Sequence, residues 1–335
     1  MKIGTQQNLL VRVCAGVSSV VMVLLQILPY ASARRHQYIT PRRDANVIRN
    51  RTTLGRACLM AAVLVVSLSS SLQAVDGVWL ITQSGALSGY VTPGDAPGFP
   101  VTITQPGSYR LAGNLTVPTV FFTAIEITTD DVTLDLNGFS ILVASSRCIT
   151  AGGMPCPAQG RGIDAENRDN IAVLNGTVRG MGGIGIFLGS NARVDKVSVI
   201  DNGNGGIATS QNSVVTGNKA QGNGGIAGIF AGNYSIAQGN VALRNTRDGI
   251  HAGSGSTVQG NTSNFNGMDG ISVGVASTVI GNTARQNARF GLGLAASTFP
   301  NDTIGYANNV VTYNGQAQVS GGTSLGQNLC NGSVC

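Results

Sequence analysis

Charge is scarce in this chain: Asp, Glu, Lys and Arg make up 11% of 335 residues. Aromatic residues are scarcer, at 5%, with a single Trp. The formal net charge of +6 does not describe a basic domain. Nine of the 21 basic residues and one of the 15 acidic ones lie in residues 1–74, which leaves 12 basic against 14 acidic, a net of −2, for residues 75–335. A nucleic-acid partner needs a basic patch on the folded surface, so that class loses its support. No C-x-x-C occurs among the six cysteines, which argues against zinc and thioredoxin-like chemistry. After residue 75 no stretch is long and apolar enough to span a bilayer.

What is present is glycine, 47 residues of it, together with Val, Ile and Leu recurring throughout. Recurrent branched aliphatics argue for a packed core rather than a disordered Gly-rich chain. Residues 1–74 read as a leader. The run 57–72 follows Arg56 and ends Ser-Leu-Gln-Ala, which has the basic, apolar and small-residue order of a secretory signal peptide cleaved after Ala74. An earlier apolar run, 13–33, is long enough to span a membrane, with Arg34, Arg35, Arg42 and Arg43 on its flank. The alternative is that residues 1–53 precede the true start.

Four segments align without gaps: 213–223 (SVVTGNKAQGN), 235–245 (SIAQGNVALRN), 256–266 (STVQGNTSNFN) and 277–287 (STVIGNTARQN). Each follows an apolar anchor by six residues. The anchors Ile163, Ile186, Ile207, Ile229, Ile250, Ile271 and Leu292 are spaced by 23, 21, 22, 21, 21 and 21 residues, and an earlier one is Ile125. Apolar residues alternate with period two around them, as in 132–136 (VTLDL), which is a strand signature. Hairpins would not return one pattern every 21 residues; coils that pair in register would. The spacing therefore predicts an all-β parallel β-helix, a solenoid of about 21-residue coils, spanning 124–315. A cap with an irregular first coil is expected over 75–123, an inserted loop over 143–160, and a closing cap over 316–335. In register, Asn202, Asn223, Asn245, Asn266 and Asn287 form one column, and Asn218, Asn240, Asn261 and Asn282 another. Two locally spaced cysteine pairs, Cys148 with Cys156 and Cys330 with Cys335, read as two disulfides of an oxidising compartment.

The segment 132–138 (VTLDLNG), the Asp248-Gly-Ile and Asp269-Gly-Ile coil starts and the Gly-Asn…Asn repeats resemble the pectin-lyase-like right-handed β-helix repeat proteins. The resemblance covers about 120–315. It implies three sheets per coil, a substrate groove on the outside of one sheet, and export; it does not imply one activity, because that fold hosts lyases, hydrolases, epimerases and non-enzymes. Against polygalacturonases the chain departs at the motifs themselves. Asn245-Thr246-Arg247-Asp248 interrupts their Asn-Thr-Asp, and His251 stands in Ile-His-Ala rather than Gly-His-Gly.

If the anchors point inward, the residues after them point outward. That column contains Glu126, Asp164, Phe187, Phe230 and His251. Two acidic patches follow: Glu126, Asp164 and Glu166, and Asp248 and Asp269 beside His251. Carboxylates on adjacent coils, about 5 Å apart, suit an acid/base pair or a Ca²⁺ site. The bland reading is that Asp before Gly-Ile is a corner residue bonding its own backbone, and that the others are solvated. Phe187 and Phe230 offer flat faces to sugar rings, or pack beneath a loop; Arg247 and Arg289 share one repeat position and could contact an acidic substrate. The sequence thus predicts a secreted or periplasmic monomer that contacts polysaccharide along its outer face. The alternatives are a polysaccharide lyase or glycoside hydrolase, and a structural surface or adhesin module.

Overall fold

The computed structural model describes residues 77–144, 159–296 and 302–335. The leader and its cleavage site lie outside the described residues. So does the disulfide expected between Cys148 and Cys156: Cys148 and Cys156 both fall in the stretch 145–158, and the expectation for them is left without a structural counterpart.

Every repeat forms one coil of a parallel β-helix. Ten strands, from Val101–Ile103 through Ile125–Ile127, Ile163–Ala165, Ile184–Leu188, Gly205–Thr209, Ala227–Ala231, Asp248–Ala252, Ile271–Val273 and Phe290–Leu294 to Ala317–Ser320, pair in that order as one sheet. The anchors are in register: Ile186 with Ile207, Ile207 with Ile229, Ile229 with Ile250 and Ile250 with Ile271. Each is 0–1% exposed, so a continuous aliphatic stack fills the solenoid. Burying an isoleucine contributes roughly 1.5–3 kcal/mol, and the column repeats that contribution coil after coil. Ten coils at about 4.8 Å give a sheet roughly 45 Å long, two coils more than the anchors alone show.

The other strands do not form two separate sheets. They make one 20-stranded sheet, because Ala172–Arg179 and Arg193–Ile200 run eight residues each straight across a corner and join both faces. In later coils that corner is the Gly-Asn of the repeat. Gly217, Gly239, Gly260 and Gly281 there adopt φ of 62–67°, a region glycine enters without steric cost; Asn175 and Lys196 occupy it in the two long strands.

The asparagine columns are hydrogen-bonded ladders buried in the corners. Asn240 donates to Val215 O at 2.8 Å and to Asn261 Oδ1 at 3.0 Å, and its own Oδ1 accepts from Asn218 N and Nδ2. The ladders extend past the repeats to Asn309 and Asn328, and to Asn314 and Gln318. Such side chains satisfy backbone groups that a tight corner would otherwise bury unpaired. Ser213, Ser235, Ser256 and Ser277 form a third ladder through their hydroxyls.

At the N-terminal end Val78–Ile81 pairs with Gly107–Leu111, and the short helix Gln83–Ser88, capped by Thr82, buries Ala86 in the same core. At the other end Leu329–Cys330 pairs antiparallel with Ser333–Val334. Cys330 and Cys335 are disulfide-bonded there. The other expected bridge, between Cys148 and Cys156, lies outside the described residues.

Candidate functional site

The outer face of the ten-stranded sheet carries one column of side chains. Glu126, Asp164, Phe187, Ala208, Phe230, His251, Ser272 and Gly293 pair successively across its strands. The predicted residues are therefore brought onto one face, but they divide into three groups.

The first group is not a bare acidic patch. Arg161 Nη1 binds Asp164 Oδ1 at 2.8 Å and Glu166 Oε2 at 2.9 Å, and its guanidinium lies 4.5 Å above the Phe187 ring. Burial lowers the basicity of Arg161, but bonds and charge from Asp164 and Glu166 outweigh it and hold the guanidinium above its ordinary value. The expected pairing of like carboxylates, or of carboxylates around Ca²⁺, is thus replaced by an arginine held between two acids. Glu126 is exposed beside them. Among the described residues no group of three or more His, Cys, Asp or Glu is placed to hold a metal ion.

The second group is aromatic. Phe230 and His251 stack with centroids 4.9 Å apart and planes 5° from parallel. That separation is close to one coil spacing. Phe230 pairs with Ala208, which is buried at 4% exposure, and Ala208 pairs with Phe187, whose ring carries the Arg161 guanidinium. Phe187 and Phe230 therefore stand two coils apart in the column, about 10 Å along the sheet.

The third group is polar and partly buried. Asp269 is 0% exposed. Both its oxygens bind Arg289, at Nε and Nη2, and Oδ1 also accepts from Phe290 N at 3.1 Å. Asp248 Oδ1 accepts from Asp269 N at 3.0 Å, and its Oδ2 lies 3.9 Å from His251 Nδ1. These aspartates therefore bond the backbone of the next coil, not their own. Gly293 makes room: a Cβ there would collide with the Asp269 carboxylate. His251, Asp269, Ser272, Arg289, Phe290 and Gly293 are among the residues lining an open depression of about 320 Å³.

Electrostatics follow the burial. Desolvation is the main cause raising the Asp248 carboxyl, with the Asp269 charge adding to it; the Asp269 amide, His251 and Arg289 oppose. Desolvation likewise lowers His251, against the pull of Asp248 and Asp269, which keeps the imidazole neutral and able to accept a proton. Arg289 is raised, first by its bonds to Asp269. Arg247, at the same repeat position as Arg289, is exposed and donates only to Met268 Sδ at 3.4 Å. Its counterpart of Asp269 on the preceding coil is Ala227, so no carboxylate is there to hold it.

Arg161 and Phe290 escaped the sequence reading. The signal was available: Arg161 and Phe290 stand two residues before the anchors Ile163 and Leu292, the repeat position of Asp248 and Asp269. Stacking only the acids of that column hid its cation and its aromatic.

A solenoid of in-register parallel coils with a continuous column of side chains on one outer face defines the class. Residues 161–325 match the family described as "Right handed beta helix region", and this part of the chain belongs to it. No curated protein sequence matches the chain. Among solved structures, the Dettilon tailspike protein is similar over 68% of this chain, at 15% identity and a TM-score of 0.41. The chain spans 57% of that tailspike's length. A mutant of the periplasmic alginate epimerase AlgG is similar over 76% of this chain and 71% of its own, at 16% identity and a TM-score of 0.44. The A-module of the Azotobacter vinelandii mannuronan C-5 epimerase AlgE6 is similar over 76% of this chain and 88% of its own, at 13% identity and a TM-score of 0.25. Among the described residues no helix is long and apolar enough to cross a membrane.

Proposed function

We propose that this chain is an exported β-helix protein that binds a polysaccharide along the outer face of its ten-stranded sheet. The observation that carries the reading is the aromatic pair of the outer column, Phe187 beneath the Arg161 guanidinium and Phe230 stacked on His251, two coils apart on one sheet. Aromatic faces held on a rigid sheet take up the C–H faces of a sugar ring. Here they are pre-positioned, Phe187 by Arg161 and Phe230 by His251, so little ordering accompanies binding. Polar groups on both sides, Glu166 and Asp164 at one end and Asp248 and Arg289 at the other, supply hydrogen bonds to hydroxyls. The Cys330–Cys335 disulfide supports export to an oxidising compartment.

The test is affinity electrophoresis of the full chain in gels cast with pectin, alginate, chondroitin or neutral glycans. Retardation by one glycan is expected, reduced in Phe187→Ala and in Phe230→Ala and abolished in Phe187→Ala/Phe230→Ala. Equal mobility of all four proteins in every gel sinks the reading and leaves a structural spacer.

A second reading, a lyase or hydrolase, is favoured by one observation: the neutral His251 at the mouth of the depression, 3.9 Å from Asp248. A neutral imidazole is a competent general base near neutral pH. It predicts new reducing ends or 4,5-unsaturated product absorbance with the wild type, and none with His251→Gln.

A further inference from the structure

A second exposed row runs along the corner that precedes the Asn202–Asn314 ladder. The corner residues Asp201, Gly222, Arg244, Phe265, Gln286 and Tyr313 follow one another coil by coil, linked by amides that donate to the neighbouring strand, as in Arg244 N to Asn264 O and Phe265 N to Arg285 O. All adopt positive φ: 54° at Asp201, 67° at Gly222, and 53°, 57°, 54° and 57° at the next four. A bulky side chain in this region is an outlier that glycine or asparagine avoids. At Phe265 and Tyr313 the strain is not offset by burial, because the side chains are 44% and 69% exposed.

The aromatics are instead paired with arginines. The Arg244 guanidinium lies 5.7 Å from the Phe265 ring centroid, and that of Arg285 lies 5.4 Å from Tyr313. Both arginines are exposed, and neither forms an ion pair among the described residues. This contrasts with Arg161 and Arg289, whose charges are neutralised by Asp164, Glu166 and Asp269. Two unneutralised cations therefore stand on aromatic supports two coils apart, about 10 Å along a rigid rod whose folded part is otherwise net negative.

From this we infer that the Arg244–Phe265–Arg285–Tyr313 ridge is a binding strip for an anionic polysaccharide, running parallel to the solenoid axis. The guanidinium forks take carboxylates of successive sugars, and the rings take the apolar faces between them. The ridge lies on a different face from the Phe187–Phe230 pair, so the two assignments stand or fall separately.

Calorimetric titration of the full chain with polygalacturonate oligomers decides it, with neutral dextran and duplex DNA as comparators. Expected is salt-sensitive binding of polygalacturonate, weakened about tenfold or more in Arg244→Gln/Arg285→Gln and again in Phe265→Asn/Tyr313→Asn, which keeps corner residues tolerant of positive φ. Circular dichroism melts of these variants should be no lower than that of the wild type, since Asn relieves the strain at residues 265 and 313. The proposal is overturned if polygalacturonate does not bind, or if both double variants bind it unchanged. It is equally overturned if duplex DNA binds as tightly, which would mean ion exchange only, or if only Phe187→Ala and Phe230→Ala lower the affinity.

Discussion

Asp269 and Arg289, twenty residues apart in the chain, face each other across a single coil boundary, with both carboxylate oxygens engaged by the guanidinium. The carboxylate is fully buried while the arginine keeps 39% of its side chain exposed. The pair holds Arg289 rigidly at the rim of the depression rather than leaving Asp269 as a free acid. Removing Arg289 should therefore strand a buried charge. Arg289→Gln is expected to lower stability by about 2 kcal/mol, less than a fully buried pair because solvent reaches the guanidinium. Asp269→Asn/Arg289→Gln should recover part of the loss; urea unfolding of the single and double variants measures the coupling.

Asn240 illustrates what holds the corners. Its side chain makes four hydrogen bonds, two as donor and two as acceptor, at a site 0% exposed. Asn240→Ala leaves the Asn218 amide buried without its partner, at about 1–3 kcal/mol, and removes a second donor from the Val215 carbonyl. A loss of that order in thermal or urea melts is expected, whereas Gln259→Ala, exposed on the next coil, should change little.

Thr209 is the opposite case. Its hydroxyl is buried without a partner among the described residues, in the inward position occupied by Leu188 and Ala231 on the adjacent coils. Thr209→Val keeps the shape and removes the orphaned hydroxyl, so a gain of about 1 kcal/mol is expected. A lower melting temperature for that variant would show that the hydroxyl is satisfied in solution.

Asp248 and His251 make opposite contributions to stability against pH. Burial raises the Asp248 carboxyl above its ordinary 3.8, so its contribution is present below that value and is lost as pH rises through the folded-state value. Burial lowers His251 below its ordinary 6.5, so its contribution is present above that value and is lost as pH falls through the folded-state value. Asp248→Asn, which keeps the acceptor for the Asp269 amide, should therefore stabilise the protein at about pH 7.5, and His251→Gln at about pH 5. Urea midpoints at both pH values check the signs; His251→Gln destabilising at the lower one would contradict them.

The coil was legible in the chain itself. A repeat of about 21 residues with period-two apolar alternation admits one register, and that register alone places Ile186, Ile207, Ile229 and Ile250 in a stack and the asparagines in columns. The outward column of Glu126, Asp164, Phe187, Phe230 and His251 follows from the same parity. Which of those residues are free to act was decided only by the tertiary structure. An ion pair depends on where long side chains reach between coils, and repeat position does not encode that reach. Arg247 and Arg289 share a position, yet only Arg289 finds a carboxylate, because Asp269 lies behind it where Ala227 lies behind Arg247. Likewise Arg161 turns two predicted acids into a neutralised clamp, since a guanidinium spans the gap between Asp164 and Glu166 that backbone register leaves open.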